Sequence, residues 1–253
     1  VGHPDIEAFI TSKSDKNSLQ NFNVSVGITN DFMEAVKNNL SWNLINPRIL
    51  EVEKKLKATL LWQRITEEAW KTGDPGLIFL DTINDDNPTP NLGRIESTNP
   101  CGEQPLLPLE ACNLGSINLA LFVKKDENGA RVDFENLKKL VWDAVRFLDN
   151  AIDKSLYPLP EIDSMVKGNR KVGLGVMGFA DMLFQLNIPY NSDQALETAE
   201  QIMGFIQTES HAASVALGKQ RGTFRNFKSS IYKDSQDLSY RNATTTTIAP
   251  TGT

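Results

Sequence analysis

Between Asn84 and Leu109 the sequence shows neither helical nor strand periodicity and is rich in Asn, Pro, Gly and Thr. A loop of that length is uncommon inside a compact domain and is usually functional, so the rest of the chain has to build a scaffold around it. Both cysteines of the sequence, Cys101 and Cys112, fall in this stretch or just after it.

The flanking sequence supplies elements of both kinds. Pro4 to Ile10 suggests a short helix with Pro4 in its first turn. Phe22, Val24, Val26 and Ile28 alternate with polar or small residues, which predicts a half-buried strand over 21–28. Asn30 is placed to cap a helix to about Lys37. A long helix is predicted over 51–72, with Leu56, Leu60, Leu61, Ile65 and Trp70 on its apolar face and Gly73 ending it. Asp74-Pro75-Gly76 makes a turn, and Leu77 to Leu80 reads as a short buried strand. Asp133 caps a helix to about Ile152 that buries Phe134, Leu137, Leu140, Val141, Ala144, Val145 and Leu148. A helix follows over 174–186, and Ser192 caps another to about Leu217, with Gly218 as its stop. Thr244 to Ile248 is β-branched and fits a strand. Short strands alternating with helices predict an α/β fold.

Composition narrows the classes of function. A net charge of −6 disfavours a nucleic-acid duplex or an anionic membrane as the main partner. No apolar run approaches the ~20 residues of a membrane span, and no targeting segment is visible. Two cysteines in 253 residues make no disulfide scaffold, so the expected compartment is cytoplasmic. With only His3 and His211 beside them, no metal site is expected. His3 reads as structural and His211 as a surface or packing histidine. The opening Val1 and the stop at Thr253, right after a Pro-Thr-Gly turn, suggest a chain truncated at both ends.

The segment Asn99-Pro100-Cys101-Gly102-Glu103 concentrates chemistry. If it is extended, Asn99, Cys101 and Glu103 project to one side at a period of two. A thiol could then serve as nucleophile or radical carrier, a carboxylate as general base, and a carboxamide as a hydrogen-bonding group for a substrate hydroxyl. Gly102 permits close approach of a ligand to the backbone. The alternative is a polar surface turn with an incidental cysteine. Cys112 is a redox thiol, a buried structural cysteine, or half of a Cys101–Cys112 disulfide. Pro250-Thr251-Gly252-Thr253 follows a strand, where successive backbone N–H groups can form an anion-binding concavity, or a simple turn.

Gly173 to Gly178 matches the dinucleotide pattern G-x-G-x-x-G, with Asp193 at about the distance of its acid. The context argues against it, because the residues before Gly173 are polar and basic rather than a buried strand. Asp193 is better explained as a first-turn helix residue after Ser192. The glycines are expected to allow tight helix packing, and Lys167, Arg170 and Lys171 to be solvated.

The block Ser97 to Leu119, STNPCGEQPLLPLEACNLGSINL, resembles the active-site segment of ribonucleotide reductases, most closely the adenosylcobalamin-dependent class II enzymes. The stretches GHPDIEAFI, SLQNFNVSVGITNDFM, TGDPGLIFLDTINDDNPTPNLG, NRKVGLGVMGFADML and NATTTTIAPTGT agree in the expected order, so the resemblance covers essentially the whole chain. It implies replacement of a ribonucleotide's 2′-hydroxyl by hydrogen. Cys101 would become a thiyl radical that takes the substrate's 3′-hydrogen, Glu103 would act as general base at the 3′-hydroxyl, and Asn99 would hydrogen-bond the ribose. Cys112 would be one of two thiols that end as a disulfide; in the family its partner lies earlier in the chain, and this sequence has no third cysteine. Ser97, Thr98, Gly102 and Pro250 to Thr253 would bind substrate.

The resemblance further implies adenosylcobalamin as cofactor, a thioredoxin-like reductant, deoxynucleotide or ATP effectors, and a homodimer. The fold it implies is the central portion of a ten-stranded α/β barrel of two five-stranded halves, with Cys101 on a finger loop. Residues 1–253 would be part of that single catalytic domain, associating or poorly soluble when alone because sheet edges stay open. The competing readings are a class I large subunit that needs a separate radical-generating protein, an NAD-dependent oxidoreductase using Gly173 to Gly178, and a non-catalytic nucleotide-binding relic.

Overall fold

The computed structural model describes residues 1–15, 19–127, 129–234 and 238–251. The chain folds as two compact units, the first from Val1–Asn87 and Arg94–Pro108, the second from Pro88–Gly93 and Leu109–Thr253. Both mix helices and strands, so the α/β expectation holds. Among the described residues no closed barrel is formed, and no helix is long and apolar enough to cross a membrane.

In the first unit α1 (Ile6–Ile10) buries Ile6 and Ile10, one helical turn apart. Strand β1 (Ser25–Ile28) buries Val26 and Ile28 by simple alternation, and is shorter than the expected run. Helix α2 (Asn30–Lys37) is capped by Thr29, whose Oγ1 accepts from the Phe32 N–H at 3.3 Å; Asn30 is its first residue and not its cap. The helix expected from Glu51 divides in two. Residues 52–57 form β3 (Val52–Lys57), paired antiparallel with β2 (Ser41–Ile45), and only then does α3 (Ala58–Thr72) begin. A cross-strand partner available to Val52–Lys57 outweighs the modest helix propensity of its Glu and Lys residues.

Helix α3 buries Ala58, Leu61, Ile65 and Glu68, while Leu60 and Trp70 face outward, Trp70 with 86% of its surface exposed. Gly73 ends it at φ 85°, as its sequence position predicts. Strand β4 (Gly76–Phe79) pairs parallel with β1 but leaves Leu77 and Phe79 exposed, so the run is a strand and not a buried one. A short helix α4 (Leu80–Asp85) follows. The remainder of the expected long loop holds a hairpin of β5 (Ser97–Thr98) and β6 (Pro105–Leu106). The core gathers Ile6, Ile10, Val26, Ile28, Phe32, Leu44, Leu61 and Ile65, with Trp42 edge-on to Phe32 at 5.2 Å.

The second unit is built on a parallel sheet. Strand β7 (Asn113–Asn118) leads through the hairpin β8 (Val123–Asp126) and β9 (Gly129–Val132) into α5 (Phe134–Lys154) and α6 (Pro160–Asn169). The chain returns as β10 (Val172–Met177), parallel to β7. Helices α7 (Phe179–Leu186) and α8 (Asp193–Arg221) then bring Thr244–Thr247 to the other edge of β10. There Leu174 N–H donates to Thr245 O at 2.9 Å and Thr247 N–H to Leu174 O at 3.1 Å. Being central, β10 is buried over its first residues, and helix α5 packs Leu137, Val141, Val145, Leu148 and Ile152 into the same core. Asp133 and Ser192 cap α5 and α8 as expected, and Asp193 opens the first turn of α8.

Three expectations change here. Residues 172–177 are strand, so the helix expected from Leu174 starts at Phe179. Gly175 serves close packing of β10 against the 244–247 stretch rather than of helices: a Cβ on it would stand 2.6 Å from Thr247 O. Gly218 does not end α8, which runs to Arg221; it lies where Ser239 O touches the helix, a Cβ there falling 1.5 Å from that oxygen.

Candidate active site

The hairpin of the first unit is a turn built by its own residue types. Ser97 faces Leu106 and Thr98 faces Pro105. Asn99 closes the tip three times over. Its N–H donates to Gln104 O at 3.1 Å, its carbonyl accepts from the Gly102 N–H at 3.1 Å, and its side-chain Oδ1 accepts from the Gln104 N–H at 2.9 Å. Thr98 Oγ1 adds a donor to the same carbonyl at 2.9 Å. Pro100 is pre-set for the second turn position, and Gly102 takes φ 92°, open to glycine and strained for other residues.

The extended, one-sided arrangement of Asn99, Cys101 and Glu103 is therefore not what forms. The three residues share one tight turn instead. The Cys101 thiol is exposed at its third position, and Gly102 is exposed beside it. Glu103 is half-buried, with Oε2 screened from solvent. Ser97, Thr98, Asn99 and Pro100 also line a cavity of about 360 Å³, together with Phe9 and Phe22.

Cys112 belongs to the second unit, just before β7. It is a half-buried thiol whose Sγ donates to Asn113 O at 3.4 Å. Two residues earlier, Glu110 is buried against Lys171, with Nζ–Oε2 2.7 Å. Arg170 is buried as well: its Nε lies 2.8 Å from Asp149 Oδ1, and its guanidinium also grips Asp153 at 2.7 and 3.1 Å. Burial opposes the charge of Arg170, but its hydrogen bonds to Asp153 and Asp149 outweigh that and raise its pKa. The hydrogen bond from Arg170 holds the Asp153 carboxyl below its ordinary range. Arg170 and Lys171 are thus ion-paired and buried, not solvated, because carboxylates from α5 and from the Cys112 segment meet them. Lys167 is partly exposed and pairs with Asp163 one turn away.

Sequence reasoning missed Glu110, Asp149, Asn169 and Asn242 as partners in these clusters. The available signal was a Glu close before Cys112 and a basic pair directly before a strand; their pairing is set only by the fold. Burial lowers the pKa of His211, which packs edge-on to Tyr240 at 5.6 Å. His3 Nδ1 accepts from the Asp5 N–H at 3.1 Å.

Pro250 and Thr251 are exposed at the end of the stretch that follows Thr244–Thr247, and Thr251 has φ 45°. Gly252 and Thr253, the other half of the expected anion-binding turn, lie outside the described residues. No group of His, Cys, Asp and Glu able to hold a metal ion occurs among the described residues.

The family described as ribonucleotide reductase, barrel domain, matches residues 1–242. A vitamin B12-dependent ribonucleoside-diphosphate reductase of Thermoplasma acidophilum is 54% identical over 252 residues, which are 99% of this chain and 32% of the relative. The protein of that name in Mycobacterium tuberculosis strain H37Rv is 48% identical over 254 residues, 100% of this chain and 35% of the relative. A ribonucleoside-diphosphate reductase subunit alpha of Chlamydia pneumoniae is 37% identical over 185 residues, 72% of this chain and 17% of the relative. The chain thus spans about a third of the length of the first two.

Proposed function

The chain belongs to the ribonucleotide reductase barrel-domain family, and on that premise we propose that it is part of an adenosylcobalamin-dependent ribonucleotide reductase. The observation that carries the reading is the hairpin tip, where an exposed Cys101 stands between Asn99 and Glu103 on a turn fixed by four hydrogen bonds. The identities of 54% and 48% to vitamin B12-dependent relatives, against 37% to a subunit alpha, support class II over class I.

In this reading the substrate is a ribonucleotide. Cys101, as a thiyl, would take the 3′-hydrogen; an exposed thiol on a rigid turn suits a group that must be approached by both cofactor and substrate. Glu103, half-buried beside it, would accept the 3′-hydroxyl proton. Asn99 spends Oδ1 on the turn, which leaves its amide N–H groups to hydrogen-bond the ribose. Ser97, Thr98 and Gly102 would contact substrate, and Pro250, Thr251, Gly252 and Thr253 its phosphates. Cys112 and a second thiol would supply two electrons and two protons as they join in a disulfide, while the 2′-hydroxyl leaves as water.

Adenosylcobalamin would supply the radical through homolysis of its cobalt–carbon bond. The exposure of the Cys101 thiol fits transfer of that radical to it. The fold of the whole enzyme would be a ten-stranded α/β barrel of two five-stranded halves, of which this chain is the central portion, with Cys101 on its finger loop. A homodimer, deoxynucleotide or ATP effectors and a thioredoxin-like reductant complete the proposal, with the cytoplasm as its compartment.

The test is reduction of CDP and CTP by the full-length enzyme with adenosylcobalamin and a dithiol, beside Cys101→Ser. Deoxynucleotide that needs the cobalamin and disappears in the variant is expected. Product that instead needs a second, radical-generating protein would move the assignment to class I.

A further inference from the structure

Glu110 and Lys171 form an ion pair sealed from solvent, with side-chain exposures of 0% and 1%. While Oε2 accepts from Lys171 at 2.7 Å, Oε1 accepts from Asn169 Nδ2 at 2.6 Å. Asn169 is itself fixed: its Oδ1 accepts from Asn226 Nδ2 at 2.8 Å and its carbonyl from the Ala243 N–H at 3.0 Å. Gly168 lies so close to Asn226 that a Cβ would stand 2.5 Å from Nδ2. The carboxylate is therefore held by two donors on a stretch of backbone that has little freedom to shift.

On the other side of Cys112, Asn113 faces Val172 in the parallel ladder, and Val172 directly follows Lys171. One short stretch, Asn169 to Val172, thus fixes Glu110 through side chains and Asn113 through strand register. Cys112 sits between these two anchors. We infer that the Glu110–Lys171 pair is a positioning device for the Cys112 thiol, setting where its sulfur points and how readily it reacts. The purpose of that device rests on Cys112 being a redox thiol; the geometry does not.

The chemistry of the pair favours placement over stability. Two ions withdrawn from water carry a desolvation penalty that apolar side chains of similar volume would not, so such a pair is often neutral or costly to stability. What it adds is direction. The carboxylate accepts where Lys171 and Asn169 present their donors, whereas two apolar side chains could slide past one another.

The deciding variant is the apolar double substitution Glu110→Leu with Lys171→Met in the full-length enzyme, since it buries no unpaired charge. Alkylation of Cys112 by iodoacetamide, followed by peptide mapping across pH, reads the thiol directly, and Cys101 serves as internal control. Melting temperature is recorded alongside. The expected result is a folded protein whose Cys112 rate differs by about tenfold from the parent while Cys101 is unchanged. The charge swap Glu110→Lys with Lys171→Glu should bring the Cys112 rate part of the way back. A parental Cys112 rate in the apolar variant would overturn the inference. So would equal changes at both cysteines, or loss of the fold, which would assign the pair to stability alone. Because alkylation needs neither cobalamin nor nucleotide, failure of the reductase assignment would appear separately, as absence of deoxynucleotide from the unmodified enzyme.

Discussion

Gly175 approaches Thr247 so closely that a Cβ would lie 2.6 Å from the Thr247 carbonyl oxygen. That oxygen is backbone and cannot swing aside, and the Thr247 N–H is already committed to Leu174 O. Gly175→Ala should therefore push the Thr244–Thr247 stretch away from β10 and cost about 1–3 kcal/mol, as overpacking of a tight contact does. A lowered urea midpoint would show it. Loss of function in this variant would then report a displaced sheet edge, and could not be taken as loss of a dinucleotide loop.

The same glycine illustrates what the sequence made legible. Periodicity and capping residues identified α2, α5 and α8, because each depends on its own residues and caps. It failed where a distant partner decides. Val52–Lys57 became a strand because Ser41–Ile45 lies opposite, and Val172–Met177 did so because β7 and Thr244–Thr247 flank it. At the candidate site the residues Asn99, Cys101 and Glu103 stood out by type. The turn that carries them was foreshadowed by Pro100 and Gly102, though a period of two suggested an extended segment. The buried ion pairs were invisible, since a basic run looks solvated until its carboxylates are placed.

Asp149 is wholly buried and meets three guanidinium groups: Arg170 at 2.8 Å, and Arg221 and Arg241 at 3.4 Å each. Asn242 adds a hydrogen bond to Oδ1 at 3.0 Å. Asp149→Asn keeps the shape but leaves the buried Arg170 with only the half-exposed Asp153 for charge compensation. The expected loss is roughly 3–5 kcal/mol, the usual consequence of removing one partner from a buried pair. Chemical denaturation of the variant beside the parent measures it, and a change below about 1 kcal/mol would contradict the burial of the cluster.

Stability should fall on the acid side. Burial opposes the charge of Glu209, but Trp142 Nε1 at 2.8 Å and Lys138 Nζ at 3.0 Å outweigh it and hold the carboxyl below its ordinary range. Asp153 is held low by Arg170. A carboxyl whose folded pKa lies below its unfolded one contributes stability that is complete above the unfolded value, about 4. That contribution is lost as pH falls through the folded value. Urea midpoints should thus change little between about pH 7 and 5 from these groups and decline below about pH 4. Glu209→Gln should lower the midpoint at neutral pH and make the acid decline shallower; an unchanged acid slope would remove Glu209 from the account.

Gly102 offers a way to perturb the hairpin tip without touching any neighbour. A Cβ there would meet nothing within 4 Å, so crowding plays no part, but the residue holds φ 92°. Gly102→Ala should therefore cost roughly 1–2 kcal/mol of backbone strain, borne by the turn alone. An exposed tip can relieve that strain by opening, which would weaken the Gly102 N–H to Asn99 O bond and let Cys101 wander. The global melting temperature should then move little, while deoxynucleotide formation by the full-length enzyme falls by about tenfold or more, the cost of misplacing a reacting group. Asn99→Ala removes the Gln104 N–H acceptor from the same turn and should act in the same direction. If both variants retained full activity, the rigidity of this turn would have no part in the chemistry of Cys101.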